Sequence, residues 1–135
     1  MRGTVHSVAW EHCTSKLKLA GIEAEGRLRM PESSDRYGWG PTAWLSSGCQ
    51  FNPPCWRALF GLNEVARVRS LNDDSSLVGG QAQSGWDAAV FPGSAHQGGP
   101  NGLWLAVFRP ELLAFVRAAP GPNEWLDPLA QGDFS

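Results

Sequence analysis

Sixteen glycines and ten prolines interrupt this chain of 135 residues. That density limits how long any helix or strand can run, because proline cannot donate to a ladder or continue a helix and glycine weakens both. Regular structure must therefore sit in the gaps, and the chain reads as a loop-rich fold of short elements. The length suits one domain spanning 1–135, with the last residues, 131–135, expected to fray.

The clearest gap holds a repeated pattern. Residues 86–92 run Trp86, Asp87, Ala88, Ala89, Val90, Phe91, Pro92, and residues 104–110 run Trp104, Leu105, Ala106, Val107, Phe108, Arg109, Pro110. Each copy starts on tryptophan and places Val-Phe shortly before a proline, so each predicts a strand. In the second copy both faces are apolar, which predicts a central strand covered on both sides. Asn101-Gly102 supplies a turn signal just before it. After Pro110, the order Glu111, Leu112, Phe115, Val116, Arg117, Ala119 predicts a helix over 110–119, with acid in the first turn and base in the last.

Earlier parts of the chain give weaker patterns. Residues 4–10 alternate enough to suggest a short strand. Residues 16–30 alternate apolar and charged side chains and are cut by Gly21 and Gly26. This predicts a three-piece meander with its charges paired across strands, in preference to a helix. Asn52 followed by Pro53 and Pro54 reads as a helix start, and Trp56, Leu59, Phe60, Leu62, Val65 and Ala66 fit one stripe of a helix over about 54–69. The fold expected is α+β: an antiparallel sheet of short strands with two helices, about 54–69 and 110–119. A small β-barrel with a C-terminal helix is the alternative.

Charge narrows the partners. A net charge of −2 and a sequence pI near 5.9 give no electrostatic footprint for nucleic acid or an anionic membrane. Lys16, Lys18, Arg27 and Arg29 are offset by Glu23 and Glu25. No apolar run approaches the roughly 18 residues that a spanning helix needs, and no signal-peptide core follows Met1. A soluble intracellular protein is expected, with Cys13, Cys49 and Cys55 as ordinary thiols.

Motifs for chemistry are sparse. His12, Cys13, Cys49 and Cys55 have the right donor types for zinc, but no CxxC spacing brings them together. Ser94 and His96 stand two apart in the loop between the Trp repeats, and Asp87 could orient the histidine as in a catalytic triad. This makes a small hydrolase the alternative function, although Gly-x-Ser-x-Gly is absent. No glycine-rich phosphate loop opens a helix, so no nucleotide cofactor is expected, nor any other. Glu23 with Glu25, and Asp73 with Asp74, lack the spacing of a carboxylate site.

The unusual feature is seven tryptophans. Most should be packing anchors. Tyr37, Trp39 and Trp44 fall in a glycine- and proline-rich stretch, and there they suit the recognition of another protein or a glycan. The function expected is a small non-enzymatic binding protein using residues 37–44. A chain without any selected site is the third reading.

Overall fold

The computed structural model describes residues 5–30, 40–47, 56–71, 80–82, 84–92 and 103–119. Their architecture is one open sheet of seven strands with a single α-helix. The strands are β1 (Trp10–Thr14), β2 (Ala43–Ser46), β3 (Trp56–Leu62), β4 (Val68–Ser70), β5 (Ala88–Pro92), β6 (Leu103–Val107) and β7 (Leu113–Ala119). Their order across the sheet is β4-β5-β6-β2-β1-β3-β7. All neighbours are antiparallel except β4 and β5, which run parallel. The sheet is therefore mixed, and it does not close into a barrel, because β4 and β7 remain its two edges.

The expected fold class is thus corrected: the protein is mostly β, without either predicted helix. The segment 54–69 holds β3 and β4. Ala58, Phe60 and Leu62 are buried with period 2, whereas Val65, required by the helical stripe, is exposed. The short run Trp56–Leu62 satisfies both periodicities, and pairing with β1 and β7 decides for the strand. The proposed helix start at residues 52–54 lies outside the described residues. Over 110–119, Pro110–Leu112 forms one 3-10 turn and the chain then extends into β7. Phe115 meets Phe60 of β3 edge to face, with centroids 5.7 Å apart.

One helix is present where strands were expected. The helix α1 (Lys16–Glu25) begins at Ser15, whose hydroxyl accepts from the Lys18 N–H at 3.1 Å. It ends at Gly26, in the left-handed conformation (φ +70°) that glycine adopts without steric cost. Leu19 and Ile22, three residues apart, form the buried face. The caps and this spacing overrule the apparent alternation of 16–30. The strand expected over 4–10 is displaced: Val5–Ser7 is a 3-10 turn, and β1 starts at Trp10.

The two strands around the Trp repeat stand as expected. β5 and β6 pair antiparallel, with Phe91 opposite Trp104. β6 lies between β5 and β2 and contributes to both faces. Leu105 and Val107 join the main core, with Trp10, Leu45, Ala58, Phe60 and the α1 residues Leu19 and Ile22. Ala106 joins a second cluster on the opposite face, with Leu71, Ala89 and Phe91.

Both edges of the sheet are blunted. β4 has only three residues, flanked or occupied by Arg67 and Arg69. In β7 the register with β3 jumps from Arg117 opposite Leu59 to Phe115 opposite Phe60, so Val116 is the extra residue of a bulge. That explains why this valine is 63% exposed. Short, charged or bulged edges resist pairing with another chain.

No helix among the described residues is long and apolar enough to cross a membrane.

Candidate aromatic face

Strand alternation builds the candidate site. α1 covers one face of the sheet. On the other face, pairing of β2 with β6 and of β6 with β5 brings together Trp44, Trp104 and Phe91, with Phe108 nearby. Trp44 meets Trp104 at 6.1 Å between centroids and 88° between planes. It meets Phe91 at 6.1 Å and 85°. Both are edge-to-face contacts, the arrangement that the ring quadrupole favours. Trp44 and Trp104 remain half-buried, whereas Phe91 is buried.

Further along the same face stands an ion pair. Arg57 of β3 donates through Nη1 to Glu11 Oε1 of β1. The Glu11 side chain is only 10% exposed and that of Arg57 25%. Each also takes part in at least one further interaction, so the pair is not an isolated contact. Ser46, buried beside it on β2, faces Glu11 in the register.

His12 supports this site from behind. It points to the core side of β1, and its Nδ1 lies 2.9 Å from the Trp44 carbonyl oxygen. In the neutral ring the Nδ1–H donates to that oxygen. Burial pushes the imidazole below its ordinary value of 6.5; the Trp44 carbonyl opposes this and Lys18 adds to it. Folding therefore favours the neutral ring. The stability that His12 contributes is complete above about pH 6.5, its value when unfolded, and falls as the pH drops through the lower folded value. Thermal midpoints measured between neutral and mildly acidic pH should decline on acidification. The His12→Asn variant should show a flatter profile, and an equal slope in both proteins would refute the assignment.

The sequence candidates fare unequally. Trp44 is held in β2, not in a loop, and Tyr37 and Trp39 lie outside the described residues. Ser94 and His96 also lie outside them. Asp87 is described, and it is a corner brace. Its Oδ2 accepts from the Arg67 N–H at 2.8 Å, and its Oδ1 pairs with Arg109 Nε at 2.9 Å. Its backbone N–H donates to Arg67 O at 2.8 Å, and its carbonyl accepts from the Phe108 N–H at 2.9 Å. Those bonds tie the ends of β4, β5 and β6 together.

The zinc candidates separate in the same way. His12 and Cys13 are consecutive in β1 and so face opposite sides of the sheet. Cys13 is disulfide-bonded, which corrects the expectation of three ordinary thiols. Cys49 and Cys55 lie outside the described residues. No group of three or more potential metal ligands occurs among the described residues.

Sequence reasoning missed Phe91, Trp104 and the Glu11–Arg57 pair as members of one surface. The signal available was the apolar second face of the Trp repeat, which asked for a partner strand without naming it. Comparison with protein-family models, curated proteins and solved structures finds no match.

Proposed function

We propose that the protein is a non-enzymatic binding module that contacts its partner through the aromatic face formed by Trp44, Trp104 and Phe91. The observation that supports this reading is the half-burial of two tryptophans on the sheet face opposite the helix. Tryptophans held in this way supply large contact area at little entropic cost. Their planes are nearly perpendicular, so the two rings do not make one flat platform. Such an arrangement suits protein side chains better than a stacked sugar ring, so a protein partner is favoured over a glycan. The Cys13 disulfide further favours a compartment where thiols are not kept reduced, in place of the intracellular setting suggested by the sequence.

The test compares the wild-type chain with Trp44→Ala and Trp104→Ala, each checked for folding by circular dichroism. Affinity capture from the source cell should recover a partner with the wild type and lose it with both variants. Equal recovery by all three, or no partner at all, overturns the proposal. Saturable binding to an oligosaccharide array, lost in the same variants, would replace the protein partner with a glycan.

A further inference from the structure

A second feature stands at the β4 edge, where two arginines lie against one tryptophan and a third, Arg109, is tied in through Asp87. The Arg67 guanidinium carbon lies 4.8 Å from the Trp86 ring centroid and that of Arg69 lies 5.5 Å from it. Both arginines are exposed, and Arg109 is 51% exposed. Among the described residues, the acid bonded to this group is Asp87, whose oxygens go to Arg109 and to the Arg67 backbone. Among these described side chains, three positive charges stand with one negative charge, in a chain whose net charge is −2.

The group is also preorganised. Arg67 Nη1 donates to Gly85 O at 3.2 Å, which holds its guanidinium against Trp86. Gly85 adopts φ +89°, and a Cβ there would stand 3.3 Å from Arg67 Nη1. The positive φ calls for glycine in this turn, and a Cβ would displace the arginine tip by a few tenths of an ångström. Trp86 offers its electron-rich ring to two cations, which eases the convergence of like charges. Neither the ring nor Gly85 uses all the donors. Each guanidinium has five N–H groups, and Arg69 has no hydrogen bond or ion pair with any described residue.

From these observations we infer that Arg67, Arg69 and Trp86, with Arg109 beside them, form an oxyanion site that takes a phosphate monoester. A dianion matches two guanidiniums held against one ring, and arginine recognises phosphate through paired N–H donors. In the register of β4 with β5, Arg69 stands opposite Ala89, which belongs to the cluster holding Phe91. The site thus borders the aromatic face without including it. An organic group attached to the phosphate would lie toward that face.

Titration of the full chain with inorganic phosphate and with phenyl phosphate tests this. The readouts are calorimetry and the indole N–H resonance of Trp86, assigned with Trp86→Phe. Both probes should bind saturably and shift that resonance, and phenyl phosphate should bind more tightly. Arg69→Ala should weaken both by about tenfold or more, as expected for the loss of charge-assisted hydrogen bonds. Arg69→Lys, which retains the charge without the fork, should fall between. Trp44→Ala should leave inorganic phosphate binding unchanged, so that failure of the binding-module reading is distinguishable from failure here. Absence of saturation, an equal response to sodium chloride, or unweakened binding by a folded Arg69→Ala variant would overturn the proposal.

Discussion

Replacing Trp10 with alanine is expected to cost about 3–5 kcal/mol, a large share of the roughly 5–15 kcal/mol by which an ordinary domain is stable. Trp10 is fully buried at the start of β1, opposite Phe60, in the centre of the main core. Removing the indole leaves a cavity between sheet and helix that backbone pairing prevents from collapsing. It also removes the Nε1–H that donates to Val5 O at 2.9 Å, the bond that pins the N-terminal turn. The Trp10→Phe variant separates these effects. It keeps much of the volume and should lose far less, about 1–2 kcal/mol, chiefly from the smaller ring and the orphaned carbonyl. Urea unfolding of the three proteins gives the comparison. Similar losses for alanine and phenylalanine would mean that the hydrogen bond, and not packing, dominates.

The second large effect concerns Arg57. Deleting it as Arg57→Ala should cost about 3–5 kcal/mol, because the carboxylate of Glu11 is then left in the sheet without its guanidinium. The pair itself is not expected to be a large net stabiliser, since both charges lose hydration on burial. The double variant Glu11→Gln, Arg57→Met should therefore recover most of the loss. The pattern of a costly single change and a mild double one distinguishes a desolvated pair from a screened surface contact. If Arg57→Ala costs less than about 1 kcal/mol, water reaches the carboxylate and the pair behaves as an exposed one.

Parts of this fold were legible in the sequence. β5 and β6 could be read because each is a short apolar run with a proline at its end or shortly after it, and because in β6 Leu105 and Val107 fall on one face and Trp104 and Ala106 on the other. The region after Pro110 could not be read in the same way. Its apolar residues satisfy a helical stripe, and only long-range pairing with β3, with Val116 squeezed out as a bulge, selects the strand. α1 was hidden for the opposite reason. Ser15 and Gly26 are sound caps, but alternating Lys and Leu imitates a strand, and Gly21 argues against a helix. The site was half legible. Trp44 could be singled out by its residue type. Its neighbours Phe91 and Trp104 could not, because Trp104 reaches it through the pairing of β2 with β6, which joins residues 58 to 64 positions apart, and Phe91 reaches it only through the further pairing of β6 with β5.

The strand order has a consequence for how the chain acquires its structure. β2, made early, has β1 on one side and β6 on the other, and β3 waits for β7. The middle of the sheet therefore stays open until residue 107 is available, and one flank stays open until residue 119. Such non-local pairing pays its loop-closure entropy before contacts repay it, which places folding in the slow, millisecond-to-second range. During synthesis the N-terminal half can form α1 and pair β1 with β3 but cannot close the core. The indole of Trp44 in β2 is then exposed to solvent and to chaperones until the last third of the chain arrives.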